Sequence, residues 1–339
     1  MLLATAAVAR AFDFSAVSPT GQTLYYNITG TATATLTSGD TKPYGRLTIP
    51  DTANGYAVTE IGGSALSDCP RLASVTIPQS VKIIGTRAFA GDGSLTSVFV
   101  AEGVERIGMM AFSSCTALDT LELPSTLTYI GAGFVGNTSL MLGDWGGDVL
   151  YVGAYVAAVK VSASYAMTVA DSVLGIANDA FNGCHINHLT LPASLRFIGS
   201  TAFNLCSSLD TVRLLAEEPP LLTDNPFANA NAALVVRVPC EAFEAYQSAQ
   251  YWNQIDIESD TCQHGNESVV QPLDDGVAVE VCNGGVIVCS PTPRHIVVSD
   301  VMGRIAASKD CFGRTFIELP ARGVYVVGGN GLAAKKLLF

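Results

Sequence analysis

The chain has few charged residues and no basic cluster. Only 14% of its 339 residues are charged, and 30 acidic against 18 basic side chains give a formal net charge of −12 at pH 7. Nucleic acid repels such a chain, because both are negative. We therefore exclude nucleic acid as a partner. The apolar share of 49% is by contrast large enough for an extensive core.

Long apolar runs and catalytic motifs are also missing. No unbroken apolar stretch reaches about 18 residues, so no transmembrane segment is predicted. The four histidines are accompanied by neither a Gly-x-Ser-x-Gly nor a His-Glu-x-x-His motif. Residues 184–188 hold three potential metal ligands, but Cys184 is a repeat position and His188 starts a strand, so we do not expect them to converge. We expect a non-catalytic protein without cofactor or metal.

The N-terminus resembles the end of an export signal. Leu2–Ala9 is apolar, and Ala9-Arg10-Ala11 is a small-x-small site of the kind that signal peptidase cuts, although the usual positive start is missing. We interpret residues 1–11 as a truncated signal peptide. The alternative is an N-terminal strand, for which the alanine-rich composition is poor.

An internal repeat determines the predicted architecture. The fragment Ile-Gly-x-x-Ala-Phe, or a close variant, begins at Ile61, Ile84, Ile107, Ile130, Ile176 and Ile198. The first four lie 23 residues apart, and the gap from 130 to 176 is two such steps. About nine residues before each Ile, alternating apolar and polar residues predict a short strand, often ended by Pro. Stacked units bury a continuous core, so we predict a mainly β solenoid with leucine-rich-type repeats of about 23 residues over 51–239.

The remaining segments predict caps and a second domain. Residues 12–50 fit an N-terminal β cap, and residues 240–260 a capping helix whose aromatic side chains cover the core. Residues 140–173 lack the repeat signature, and we interpret them as an aberrant repeat with a β-hairpin. Residues 261–272 are polar, which is typical of a linker. About seven short strands in 273–339 predict a small β-sandwich.

Four of the nine cysteines share one column of the repeat. Cys69, Cys115, Cys184 and Cys206 each follow a repeat Ile by eight residues, as Asp92 does. Layers are about 4.8 Å apart, so Cys184 and Cys206 could bridge, whereas Cys69 and Cys115 are two layers apart. We hypothesise that most of these cysteines are free structural thiols.

The outward strand positions are the main candidate binding surface. They are Thr76, Phe99, Glu122, Thr168, Thr190 and Arg213. Phe99 is aromatic where a polar residue is expected, and aromatic and Arg side chains are common interface anchors. The alternative is a merely solvated sheet face. Trp145, near Tyr151, either stacks on a sugar or packs as part of a turn.

The repeat unit resembles the BspA-like class of leucine-rich repeats. Strand-Pro, Ile-Gly-x-x-Ala-Phe and x-x-Cys-x-x-Leu match from about Leu47 to Pro239. The resemblance implies a secreted or surface protein of anaerobic gut and mouth bacteria. It also implies adhesion to host extracellular-matrix proteins or to other microbes. The alternative is a glycan-binding surface protein.

The tail resembles the C-terminal sorting domain of the type IX (Por) secretion pathway. Residues 299–304 match its Asp-x-x-Gly-Arg motif, residues 317–327 its Leu-Pro-x-Gly-Val-Tyr motif, and residues 335–338 its basic ending. The three cysteines of this domain depart from that pattern. The resemblance implies passage across the outer membrane and a location in the medium or on the outer cell surface.

Overall fold

The chain forms two compact units, residues 1–258 and 259–339. The computed structural model describes residues 12–163, 165–260, 271–272, 277–282, 285–319, 324–329 and 332–338. The predicted signal peptide (1–11), most of the predicted linker and residues 320–323 of the sorting-like motif lie outside these residues.

The first unit is almost entirely built from short strands. In chain order they are β1 (Phe14–Val17), β2 (Thr23–Ile28), β3 (Thr33–Thr37), β4 (Gly45–Thr48), β5 (Thr52–Ala53), β6 (Tyr56–Ile61), β7 (Leu72–Ile77), β8 (Ile83–Ile84), β9 (Ser97–Val100), β10 (Arg106–Ile107), β11 (Thr120–Glu122), β12 (Tyr129–Ile130), β13 (Val149–Val152), β14 (Tyr155–Val159), β15 (Ala166–Thr168), β16 (Gly175–Ile176), β17 (His188–Leu191), β18 (Phe197–Ile198), β19 (Thr211–Leu214), β20 (Val235–Val238) and β21 (Ile257–Ser259). The helices are α1 (Ser139–Leu142) and α2 (Phe243–Ser248), with 3-10 turns at Cys240–Ala242 and Trp252–Gln254.

These strands stack into four sheets along a solenoid. Their orders are β1-β2-β3-β6-β8-β10-β12 with β5 on β6, then β4-β7-β9-β11, β13-β14-β16-β18 and β15-β17-β19-β20-β21. Strands of successive repeats are parallel, and Ile61 pairs with Ile84 as Ile107 pairs with Ile130. The sequence period thus sets the register. The predicted mainly β leucine-rich-repeat solenoid is confirmed.

The core consists of columns of equivalent residues, and the glycine after most of the repeat Ile residues permits their spacing; Ile176 is followed by Ala177. The Phe89 and Phe112 rings stack at 5.2 Å with an interplanar angle of 9°. A Cβ on Gly85 would lie 2.7 Å from the backbone of Gly62, and one on Gly108 2.5 Å from Thr86 N. Glycine is therefore required here for close approach of the layers.

The aberrant repeat contains an antiparallel hairpin, β13–β14. Val156 of this hairpin pairs with Ile176 and so takes the place of a repeat Ile. Between β11 and β15, however, the outer sheet lacks a strand, because α1 and the loop after it occupy that part of the chain. The sheet that carries the isoleucine column is interrupted here as well, because β12 ends the first sheet and β14 pairs with β13 and β16. The buried core nevertheless continues through this repeat.

The column cysteines are buried thiols. Three of them bond to the layer before them, whereas Cys69 Sγ bonds to the Ser67 carbonyl of its own layer. Cys115 Sγ lies 3.0 Å from the Phe89 carbonyl oxygen. Cys206 Sγ is placed likewise, 2.9 Å from the corresponding carbonyl one layer back. Cys69, Cys115, Cys184 and Cys206 are all free, as we hypothesised. Cys240 is disulfide-bonded.

Asp92 replaces a cysteine in this column and is fully buried. Its Oδ1 accepts a 2.7 Å hydrogen bond from the Cys69 backbone N–H, and its Oδ2 has no partner. Loss of hydration on burial raises the pKa of Asp92 to about 8, against the opposing effect of the Cys69 bond. The carboxyl group is therefore largely protonated at neutral pH.

At both ends of the solenoid, side chains form hydrogen bonds with backbone groups that a further strand would otherwise pair. At the N-terminal end, the Gln22 amide donates to the Arg46 carbonyl and accepts from the Tyr44 N–H, both at 2.8 Å. At the other end, Tyr246 Oη and Trp252 Nε1 donate to the carbonyls of Ala216 and Pro220 at 2.9 and 2.7 Å. Open strand edges and the end of the core are thus covered.

The second unit is the small β-sandwich. Its strands are β22 (Gln271–Pro272), β23 (Ala278–Cys282), β24 (Gly285–Asp300), β25 (Ile305–Glu318), β26 (Val324–Gly329) and β27 (Leu332–Leu338). Four of the predicted short strands are halves of β24 and β25, which continue through a register irregularity between Ser290 and Arg294. The segment SPTPR with its two prolines lies at this irregularity. Prolines within a strand pattern predict the end of a strand, which is why the sequence predicts separate strands here. Both halves contribute to one core.

The Asp-x-x-Gly-Arg segment forms the turn between β24 and β25. The Asp300 carboxylate accepts from the backbone N–H groups of Met302 and Arg304 at 2.9 and 3.0 Å, and from Arg304 Nε at 2.7 Å. The pKa of Asp300 is lowered, with the Arg304 backbone bond as the largest cause. Gly303 has a φ of +81°, which favours glycine. The motif residues thus have a local structural role.

We predict that the column thiols do not react with a thiol reagent in the native protein. Burial raises the pKa of Cys69, Cys115 and Cys184 to about 12 and that of Cys206 to about 11, and only thiolates are nucleophilic. Labelling with Ellman's reagent, with sites mapped by mass spectrometry, measures this. Unfolding without reductant should expose at least the six free cysteines that the structure describes. Native labelling of Cys115 or Cys206 would contradict the prediction.

We predict that Asp92→Asn flattens the pH dependence of stability. Between the ordinary pKa of 3.8 and the folded value of about 8, only the folded state retains the proton. This stabilisation is complete below pH 4 and is lost as the pH rises towards 8, by at most about 1.4 kcal/mol per pH unit. Asn keeps the acceptor for Cys69 N–H but does not titrate. Urea unfolding at pH 5 to 8 tests this, with the exposed Asp171→Asn as control; an unchanged slope for Asp92→Asn would refute it.

Candidate interaction surface

One half of the outer strand surface lies on the sheet β4-β7-β9-β11. Thr48 pairs with Thr76, Thr76 with Phe99, and Phe99 with Glu122. The alternate positions on these strands are buried, so the four side chains point away from the core. We call these four residues the N-terminal strand face.

The other half lies on the sheet β15-β17-β19-β20-β21. Thr168 pairs with Thr190, Thr190 with Arg213, and Arg213 with Arg237. We call these four residues the C-terminal strand face. All six candidate residues thus occupy the outward strand positions, but in two columns where the sequence suggested one. The reason is the strand that is missing between β11 and β15.

Phe99 is the outstanding residue of the N-terminal strand face. Its side chain is 47% exposed, whereas its neighbours Val98 and Val100 are buried. The flanking rungs are Thr76 and Glu122. Because Val98 and Val100 are fixed in the core, the large apolar side chain of Phe99 stays exposed to solvent. Because about half of Phe99 is already covered, its complete burial by a partner would gain about 1 kcal/mol.

The C-terminal strand face carries positive charge on an acidic chain. Arg237 forms an ion pair with Glu258 at 3.6 Å, with both side chains about half exposed, and such exposed pairs contribute little. Beside the column, Tyr165 and His188 form a 3.2 Å hydrogen bond and an edge-on ring contact. Arg and Tyr side chains are typical anchors of protein interfaces.

Thr48 and Arg237 were missed as face residues in the sequence. Both strands lie outside the span marked by Ile-Gly-x-x-Ala-Phe. The signal was nevertheless present, because Leu47-Thr48-Ile49-Pro50 and Val236-Arg237-Val238-Pro239 repeat the apolar–polar–apolar–Pro order. Strand-Pro spacing therefore finds the terminal rungs better than the turn signature does.

The residues from Cys184 to His188 do not assemble into a metal site. Cys184 is buried with its thiol towards the Val159 carbonyl, while His188 is exposed and bonded to Tyr165. Across the described residues, no group of three or more His, Cys, Asp and Glu side chains is arranged to hold a metal ion.

A cleft of about 350 Å³ lies at the aberrant repeat. Trp145 lines it, half-buried, and its Nε1 donates to the Met141 carbonyl at 3.0 Å. Tyr151, 39% exposed, lines it as well. The structure therefore places both aromatic residues that the sequence singled out in one cavity.

The chain belongs to the family of BspA-type leucine-rich repeats. Six copies of that family's repeat region match residues 45–156 and 161–258, which is more than half of the chain. No curated protein matches it. Among the described residues, no helix has the length and apolar character needed to cross a membrane.

Several solved structures are similar in sequence over parts of the chain. A leucine-rich repeat protein from Bacteroides capillosus is 35% identical over 31% of this chain and 80% of its own, with a TM-score of 0.28. The Treponema pallidum leucine-rich repeat protein is 20% identical over 66% and 84%, with a TM-score of 0.35. A leucine-rich cell surface protein from Faecalibacterium prausnitzii is 18% identical over 74% and 96%, with a TM-score of 0.26. Family membership rests on the repeat match.

Proposed function

We propose that the chain is a non-catalytic, exported scaffold that binds partner proteins through its two strand faces. The observation that carries this proposal is Phe99, an exposed aromatic side chain held in register between polar rungs. Exposed aromatic and Arg side chains on a rigid sheet form an interface without ordering costs for the scaffold.

The proposed partners are host extracellular-matrix proteins or the surface proteins of other microbes. The family supports this choice, because repeats of this type form extended interaction surfaces. The two faces differ in chemistry, with Phe99 and Glu122 on one and Arg213 and Arg237 on the other. A partner that spans both faces therefore offers an apolar contact to the first and carboxylates to the second.

Export and surface location are part of the proposal. The N-terminal segment fits the end of a signal peptide, and the tail fits a type IX sorting domain. Within that tail, the Asp300 carboxylate bonds to Arg304 across the hairpin turn, and this contact requires the observed spacing of Asp, Gly and Arg. The surface is consequently the place where the strand faces meet a partner.

We predict that Phe99→Ala and Arg213→Ala each weaken binding to a partner protein. If both residues are interface anchors, each loss corresponds to about 2 kcal/mol, or roughly 30-fold in Kd. The full chain is titrated onto immobilised collagens, laminin and fibronectin and onto proteins captured from mucosal extract, by surface plasmon resonance. Arg213→Lys separates charge from the planar fork of Arg and should retain part of the affinity.

Two matched variants control for general surface effects. Met109, 44% exposed, lies outside both faces, and so does Arg106, whose guanidinium stacks 4.2 Å from the Tyr129 ring centroid. Met109→Ala and Arg106→Ala should bind as the unaltered chain does. Equal binding by all variants, or equal loss in the controls, would show that the strand faces are not the interface.

A further inference from the structure

The cleft at the aberrant repeat lies where the outer sheet lacks a strand. The strand period of 23 residues, from the centre of β11 at Leu121, places the next strand at Asp144. The chain instead forms the loop Gly143–Gly147, and the cleft is lined by this loop, by Asp119 beside β11 and by residues 149–151 of β13. The cleft thus lies at the position of the missing strand.

Trp145 is fixed as an aromatic wall of this cavity. Its Nε1 bond to Met141 sets its position, and the Lys160 ammonium lies over the ring, 5.6 Å from its centroid. Tyr151 is also held, because its hydroxyl accepts from the Ala170 N–H at 3.4 Å. The aromatic groups are therefore in place before any ligand arrives, which lowers the entropy cost of binding.

Two exposed carboxylates border the same cavity. Asp119 Oδ1 accepts from Thr120 Oγ1 at 3.0 Å, and Asp144 Oδ1 accepts from the Gly146 N–H at 2.9 Å. A carboxylate has a second oxygen that can accept a further hydrogen bond. An aromatic wall together with carboxylate acceptors suits a ligand that has an apolar ring face and a rim of hydroxyl donors.

We propose that this cleft binds an uncharged sugar unit at the end of a glycan. A sugar ring offers both features, a C–H face for Trp145 and hydroxyl donors for Asp119 and Asp144. The volume of about 350 Å³ is near the lower end of the range of about 300–1,000 Å³ for small-molecule sites. One or two rings therefore occupy it, and the rest of the glycan extends into solvent.

Charge distinguishes this ligand from the alternatives. Two carboxylates repel a sialylated or sulfated sugar. A cationic peptide side chain is repelled by the Lys160 ammonium, which lies 5.6 Å from the centroid of the Trp145 ring although Lys160 does not line the cleft. An uncharged polyol avoids both penalties. The site is separate from the strand faces, so it does not depend on Phe99 or Arg213.

Tryptophan fluorescence of the full chain tests the proposal. The chain has two tryptophans, and the other, Trp252, is buried in the C-terminal cap. Titration with mannotriose, maltotriose, chitotriose and lacto-N-neotetraose should change the emission saturably for at least one sugar. The same change should persist in Trp252→Phe. Absence of a saturable, Trp145-dependent change with all four sugars would overturn the proposal.

Calorimetry with variants then identifies the contacts. Trp145→Ala should weaken the binding of the responding sugar by roughly tenfold or more. Asp144→Asn, which keeps the acceptor for Gly146 N–H, should weaken it several-fold without altering thermal unfolding. Phe99→Ala serves as the matched control and should bind the sugar normally, which separates this site from the proposed protein interface.

Two further probes decide between ligand classes. Sialyllactose and a trilysine peptide are titrated under the same conditions, and neither should bind through Trp145. The cleft is a peptide site, and the sugar proposal is wrong, if trilysine binds the unaltered chain, its affinity falls in Trp145→Ala and Asp144→Asn, and the sugars do not bind.

Discussion

The close approach of successive backbone layers at the Ile-Gly step is the constraint on which the structure depends. A Cβ at Gly85 or Gly108 would meet the neighbouring backbone within 2.5 to 2.7 Å, so glycine is required at these two steps for the layers to reach ladder spacing. That spacing brings Phe89 against Phe112 and aligns the isoleucine column. Because successive strands keep the same register, the outward positions are aligned within each of the two outer sheets.

The column of small polar groups shows how the same spacing limits chemistry. A thiol fits between layers and reaches the carbonyl of the layer before it. Because burial raises the cysteine pKa, the reactive thiolate does not form. Asp92 in the same place can be accommodated mainly in its protonated form. One oxygen satisfies Cys69 N–H, and the other has no partner. A position that looks like chemistry in the sequence is thus part of the stacking.

The aberrant repeat has consequences beyond its own residues. Val156 pairs with Ile176 and the buried core continues through this repeat, but the sheet of the isoleucine column and the outer sheet are both interrupted. The interruption divides the outward residues into two faces and leaves a cleft lined by Trp145 and Tyr151. A local deviation that leaves the buried core continuous therefore creates a cleft beside β11. Rigid repeats surround this cleft, which supports preorganised binding.

The solenoid, its period, the outward rungs from Thr76 to Arg213 and the hypothesis that most column cysteines are free could be predicted from the sequence, because each follows from a side-chain periodicity that local stacking repeats. Tertiary structure alone decided the continuity of β24 and β25, since an irregularity at two prolines reads as a break in the sequence. It also decided that the outer column is divided and that Trp145 and Asp119 line the same cleft. Both depend on where the aberrant repeat places its hairpin relative to β11. Periodicity specifies neighbours one layer apart, whereas an interruption of the period leaves the position of its residues to long-range packing.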